Sequence, residues 1–496
     1  MVTTHVTQET SKTTSWPLHC DREQLRATLR RASKRATNQH QSILASFIQP
    51  VGWFDSLRIF TGSQSSQMDE RFYWERPDKQ DALVGLGVVF KIETSGPTRY
   101  TTASQIWQDL LQSAIIDYAP GVSTDQPGGP LLCGGFAFDE SSQHTDLWEG
   151  FSAGSLRLPR FLFGQAGQSS TLTINQLVEE TDDVEELLED ICSSLHRLKS
   201  AVEDSGSQPD LQTSGILYHH PNQSLQSRQE WMNLVERNVQ QIQQGAYKKV
   251  VLARAIQVET GNADEAFLAE DVLARLRELY PGAYVFAIQR GSRYFVGATP
   301  ERLVKAQQGH ISTMALAGTA PRGSSEEEDQ QIGQELLQSM KNAGEHRIVV
   351  DMIKQAMIRF CTQLQVANTP HLLKLKNVQH LATDISGELR NGHSILEIVA
   401  TLHPTPAVGG VPRRAALQAI RSGERLDRGW YAAPVGWLDA RGNGEFAVAL
   451  RSGLLNHDLA TLFAGCGIVG DSEPASEYIE SCLKLQVMLR GLGGED

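Results

Sequence analysis

A chain of 496 residues, 40% hydrophobic and 21% charged, has the composition of an ordinary globular protein and is long enough for two or three average domains or one large unit. Its formal net charge of −13 argues against nucleic acid and anionic membrane as general partners, while leaving room for a small anion in a locally basic pocket. The six cysteines include no CxxC pair, which suits a reducing compartment and offers neither a disulfide framework nor a zinc site. No apolar run is long enough to span a bilayer. The first residues lack a secretory apolar core, and Glu9, Asp21 and Glu23 speak against a transit peptide, so the cytoplasm is the expected location.

In chain order, residues 1–15 are polar and Thr-rich and read as disordered. Residues 16–215 read as a mixed α+β region. Residues 83–93 and 131–139 are strand candidates, with Gly134 and Gly135 marking a bulge or a close backbone approach. Residues 184–199 form an amphipathic helix with an acidic start and a basic end. Residues 203–213 are the most linker-like interior stretch, which puts the main boundary near residue 215.

Residues 216–496 carry the chemical signal. Residues 229–244 read as a helix closed by Gly245, and residues 247–258 as a strand. Alternation along that strand puts Lys248 and Lys249 on opposite sides, so one of them points into the protein. A lysine drawn into a partly apolar site loses its proton more easily. Residues 283–289 and 294–296 form a hairpin leading to a turn that presents Glu301. Residues 313–323 read as strand and turn. They are followed by an acidic helix start and by a second helix near Asn342 that bears Glu345, His346 and Asp351. Residues 378–388 form another strand, and residues 402–412 a stiff Pro/Gly loop. Residues 429–439 and 444–452 form a hairpin, with Arg451 ending an apolar strand.

At the C-terminal end, residues 461–464 read as a short apolar strand entering a turn at Gly465, Cys466 and Gly467. Asp471 or Ser472 then caps a helix beginning near Pro474. Glu477, Glu480 and Lys484 fall on one face of that helix, where two carboxylates and an ammonium suit a divalent cation and an anionic ligand.

The segments KVVLAR (249–254), GATPERL (297–303), LAGTAPRG (316–323), EH (345–346), QHLATDISGEL (379–389), LHPTPAVGG (402–410), YAAPVGW (431–437), VALRSG (448–453) and AGCGIV with SEYIESCLK (464–484) occur in that order. Together they closely resemble the chorismate-utilising enzymes over roughly residues 225–490. The N-terminal half matches mainly at GGFAFD (134–139). The resemblance implies an α+β fold like that of anthranilate synthase component I: two β-sheets packed face to face, helices outside, the site between the sheets. It further implies that Lys249 activates water for attack at C2 of chorismate and that Glu301 protonates the departing C4 hydroxyl. Glu345 and Glu480, with Glu477 beside them, match ligands of Mg²⁺. Arg451, Tyr431, Gly465, Gly467, Lys484, His380, Gly318 and Thr319 match the substrate pocket.

Family members that use ammonia carry Gln where Lys249 stands, and aminodeoxychorismate synthases carry a nucleophilic lysine at the position of Ala317. Water is therefore the expected nucleophile, and no glutaminase subunit is expected. The implied reaction is the reversible conversion of chorismate to isochorismate, feeding quinone or salicylate-type routes. The alternatives are a salicylate synthase, which adds pyruvate elimination, or a non-catalytic paralogue. A monomer or weak dimer is expected. Ala433 and Cys466 depart from the family's usual Gly and Ala.

Overall fold

The structure is a computed structural model and describes residues 20–66, 68–122, 128–141, 145–204, 227–261, 265–374 and 378–494. The reading of residues 1–15, the boundary near 215 and most of the 203–213 linker lie outside the described residues.

Among the described residues, twenty strands and eleven helices make an α+β fold. All the strands belong to one hydrogen-bonded network, so the sheets of the expected sandwich are joined through shared strands. Every pairing is antiparallel except that of Ile43–Pro50 with Ile115–Tyr118. Strands from both halves of the chain pair directly. Leu131–Phe136 lies against Pro434–Asp439, and Phe72–Arg76 against Tyr284–Arg290.

The period-two alternation of strand side chains sorts the core into two apolar clusters. Along Tyr284–Arg290, Tyr284, Phe286 and Ile288 enter one cluster, and Val285 and Ala287 enter the other. Phe72 and Trp74 likewise oppose Tyr73. The second cluster also takes Leu25 and Leu29 from helix Arg22–Gln39, Leu188 and Ile191 from helix Val184–Asp204, and Leu485 and Met488 from helix Pro474–Gly491. It is the layer between strands and outer helices. The first cluster contains Val250, Leu252, Phe463 and Cys466, and it underlies the candidate site.

Local chemistry sets several boundaries. Helix Arg228–Gln243 starts from a capping box between Ser227 and Glu230, and Ile395–Leu402 from one between Ser394 and Glu397. Gly134 marks a close approach rather than a free turn, since a Cβ there would lie 2.1 Å from the Ser155 carbonyl oxygen.

Four local expectations change. Gly465, Cys466 and Gly467 do not form a turn. They continue the strand Leu459–Ile468, paired with Ala253, Leu252 and Val251 of Lys249–Glu259. The helix does begin at Pro474, but its N-cap is Glu473 without a side-chain cap bond, while Ser472 Oγ accepts from Val469 N and Asp471 pairs with Lys341. Arg451 does not end a strand. It lies between Gly444–Val448 and Ser452–Asn456 with φ +49°, and residues 429–433 precede the strand Pro434–Asp439. Helix Val184–Asp204 runs past Lys199, so its last turn carries no basic residue.

Candidate active site

Lys249 opens the strand Lys249–Glu259, which is paired along one edge with Leu459–Ile468 and held at its start by Gly410 and Val411 on the other. Of the two adjacent lysines, Lys248 is exposed and Lys249 turns inward. The Lys249 side chain lies against Gly467: a Cβ on that glycine would stand 3.0 Å from Cε and 3.5 Å from Nζ. Among the described residues its ammonium has no hydrogen-bond or ion-pair partner. Burial pulls its pKa down, against the attraction of Glu345, Glu301 and Glu480 and with the repulsion of Lys484.

Glu301 sits in the two-residue link between strands Arg293–Thr299 and Arg302–Gln307. Its backbone is fixed at both ends: its N–H donates to Thr299 Oγ1 at 3.2 Å, and its carbonyl accepts from Val448 N at 2.9 Å. Burial pushes its carboxyl up to about 7, with Lys249 and Arg451 pulling the other way. It lines a cleft with Met314, Leu316, Val349, Leu402 and Ala407.

Arg451 is half-buried, and desolvation lowers its pKa. Among the described residues its guanidinium has no hydrogen-bond or ion-pair partner, so its planar fork of N–H donors is uncommitted. Tyr431 stacks on Phe463 with ring centroids 5.2 Å apart, and its hydroxyl faces Gly465, where a Cβ would stand 3.1 Å from it. Lys484 Nζ donates to the Gly465 carbonyl at 2.8 Å and pairs with Glu480 at 2.5 Å.

His380 is placed opposite Thr319, whose hydroxyl lies 2.8 Å from His380 Nδ1. Between Ala317 and Thr319 the ladder shifts register at Gly318, which has φ +76° and no room for a side chain between Asn342 and Leu381. Burial, with Arg451 and Lys484 nearby, lowers His380 to about 4, so the ring is neutral at physiological pH.

Glu345 is carried by helix Met340–Met357. The next residue, His346, anchors that helix to two strands through the Ala317 carbonyl and the Thr383 hydroxyl. Glu477, Glu480 and Cys466 offer donor atoms that all lie within 4.8 Å of one another, the one such group of three or more among the described residues. Glu345 contributes to the field at Lys249 but stands outside that group. Glu477 Oε2 is buried without a hydrogen-bond partner. Cys466 is fully buried, its thiol pushed up to about 12 by desolvation and directed at the Glu477 carbonyl at 3.3 Å.

The motifs did not reveal the environment of Glu424 and Arg428, a buried pair beneath the Lys249 strand. Their i,i+4 spacing is the only signal in the sequence, and it reads as an ordinary surface pair.

Lys249 and Arg451 both act electrostatically on Glu301, and Lys249 is also within the field of Glu480 and Lys484, beside the Glu477–Glu480–Cys466 cluster, so the structure gathers these groups into one region. In agreement, the family model described as chorismate binding enzyme matches residues 29–493, and the chain belongs to that family of enzymes. It is 38% identical over 466 residues to the isochorismate synthase MenF of Bacillus subtilis, covering 94% of this chain and 96% of the relative. It is also 38% identical over 475 residues to the salicylate biosynthesis isochorismate synthase of Pseudomonas aeruginosa, covering 95% of each. Among solved structures, the menaquinone-specific isochorismate synthase MenF of Escherichia coli matches with a TM-score of 0.72 at 27% identity, over 94% of this chain and 99% of that one. Anthranilate synthase component I of Streptococcus pneumoniae shares the fold, with a TM-score of 0.64 at 22% identity, over 82% of this chain and 92% of that one. No helix among the described residues is long and apolar enough to cross a membrane.

Proposed function

We propose that the chain is an isochorismate synthase, an isomerase that converts chorismate reversibly to isochorismate. The observation that carries this reading is that Lys249, turned inward, and Glu301 lie close enough to act on each other electrostatically, with burial lowering the proton affinity of the lysine and raising that of the carboxyl. Replacing an allylic hydroxyl with water at the far end of the allyl system needs a base at one carbon and an acid at the other. Neutral Lys249 takes a proton from the water that attacks C2, and protonated Glu301 gives one to the hydroxyl leaving C4. In the reverse direction their roles exchange.

Chorismate carries two carboxylates, and the unpartnered Arg451 guanidinium suits one of them as a forked donor. Tyr431, the Gly465–Gly467 backbone and Lys484 form the wall beside it. His380, neutral and held by Thr319, lines the pocket without adding charge, and Gly318 keeps that wall free of a side chain. Glu477 and Glu480 fit a hard divalent cation, since their carboxylates converge and Glu477 Oε2 lacks a partner. Mg²⁺ bound there would neutralise substrate negative charge in an otherwise acidic protein. Glu345 completes the acidic side of the cleft. Cys466, a soft donor, acts as a small apolar wall. With water as nucleophile, no ammonia-supplying subunit is needed, and the cytoplasm is the site of action.

The test is to incubate the protein with chorismate and Mg²⁺, with and without EDTA, and to separate the products by chromatography. Isochorismate formed only with metal, and converted back when supplied alone, is the expected result. Salicylate with pyruvate would show that elimination also occurs, and no product would show a catalytically silent chain.

A further inference from the structure

The strand that presents Lys249 has an incomplete ladder on one side. Leu459–Ile468 pairs with it from Val250 to Glu259, but among the described residues the opposite edge is paired only with Gly410 and Val411, opposite Val250 and Lys249. Two further backbone bonds flank that contact, from Lys248 N to the Val411 carbonyl at 2.7 Å and from Val251 N to the Gly409 carbonyl at 2.9 Å. Beyond it, the Val251 carbonyl and the Ala253 N–H are buried and need partners, because an unpaired buried backbone group is costly.

Two side chains replace the missing strand. Glu424 Oε1 accepts from Ala253 N at 2.8 Å, and Arg428 Nη2 donates to the Val251 carbonyl at 2.6 Å. The two are themselves joined, with Arg428 Nε donating to Glu424 Oε2 at 2.8 Å and Nη2 close to Glu424 Oε1. Their side chains are only 4% and 2% exposed. Arg428 reaches further: its Nη1 donates to the Val408 carbonyl at 3.1 Å, and its guanidinium lies 4.3 Å from the centre of the Phe138 ring. One guanidinium therefore ties the strand of Lys249 to the loop whose Thr405 and Ala407 line the cleft beside Glu301.

From this we infer that Glu424 and Arg428 are positioning residues for the reaction, setting where Lys249 stands relative to Glu301 by acting as a two-residue substitute for a strand. The inference rests on the proposed isochorismate synthase reading. A planar fork is needed because one cation must satisfy a carboxylate and two carbonyls at fixed angles, which an ammonium on a flexible stem does not reproduce. A shift of about 1 Å in a catalytic group costs on the order of 100-fold in rate.

The experiment compares wild type, Arg428→Lys, Arg428→Met and Glu424→Gln as full-length proteins. It measures folded fraction, magnesium-dependent chorismate binding by calorimetry, and the pH profile of kcat/KM. Expected is a loss in kcat of about 30-fold or more with chorismate affinity within about 3-fold of wild type. The limb of the profile that Lys249 sets should also move, because Lys249 shifts relative to Glu345, Glu301, Glu480 and Lys484, which act on its proton affinity. If Arg428→Met does not fold, Arg428→Lys and Glu424→Gln carry the same expectation. Folded variants with wild-type kcat overturn the inference. So does a loss of kcat that leaves the pH profile unmoved, since that marks a purely structural pair. If wild type forms no isochorismate in the same assay, the functional reading itself falls.

Discussion

The Lys249 side chain crosses Gly467 closely, since a Cβ there would stand 3.0 Å from its Cε and 3.5 Å from its Nζ. Gly467 is in a regular strand without positive φ, so its lack of a side chain serves space rather than backbone freedom. Gly467→Ala should displace Lys249 and lower kcat about 10- to 100-fold, with a melting temperature close to that of wild type. Turnover equal to wild type would show that Lys249 needs no such clearance.

Lys249→Ala should abolish turnover while magnesium-dependent chorismate binding persists, because in the proposed reaction the lysine acts on water rather than on a substrate carboxylate. Isothermal calorimetry beside a product assay separates the two. Retained turnover would remove Lys249 from the base role.

The pH profile follows from the displaced groups. Glu301 holds its proton up to about pH 7, and Lys249 becomes neutral at lower pH than an ordinary lysine. The active enzyme carries one proton between them, on Glu301. Adding a second proton to the pair removes the base, and removing the one proton removes the acid. The profile of kcat/KM should therefore be bell-shaped, with one limb near pH 7 from Glu301 and the other from Lys249, below the pH at which an ordinary lysine titrates. Bound chorismate adds negative charge near Glu301, so the limb in kcat should lie at higher pH than in kcat/KM. An acid limb near the ordinary carboxylate value would contradict this assignment.

Glu480→Gln should raise the magnesium concentration for half-maximal activity at least about 10-fold, and it also frees Lys484 from its ion pair. Titrating Mg²⁺ at fixed chorismate reads this directly. An unchanged requirement would take Glu480 out of the metal site.

Arg451→Lys should raise KM for chorismate by about 10-fold or more while kcat falls less, since an ammonium cannot engage a carboxylate with two parallel donors. A loss of kcat alone would place Arg451 in the chemical step instead.

What was legible in the sequence was local or repeated. The strand of Lys249 follows from its alternation, and the inward turn of one of two lysines follows from the apolar run after them. The start of the helix at Pro474 was readable because proline marks a first turn. The Gly465–Gly467 segment was not, because two glycines are a local turn signal while the strand that straightens them, Lys249–Glu259, lies far upstream in the chain. The apolar run before Arg451 reads as a strand that it ends, whereas the backbone there turns to φ +49° and its carbonyl accepts from Ala298 N, a residue far upstream. The Glu424–Arg428 pair was invisible for a similar reason: burial is a tertiary property, and four-residue spacing is the same on a wet face as beneath a strand. The convergence of Cys466 with Glu477 and Glu480 likewise appears only when strand and helix are packed.

The most direct test of the central claim is the mass of the product formed from chorismate and Mg²⁺ in ¹⁸O-labelled water. Attack of solvent at C2 with loss of the C4 hydroxyl predicts isochorismate carrying one labelled oxygen, formed by wild type and absent with Lys249→Ala. Isochorismate formed without label would mean that the hydroxyl migrates rather than exchanges, and would contradict the account of Lys249 as the base that activates water.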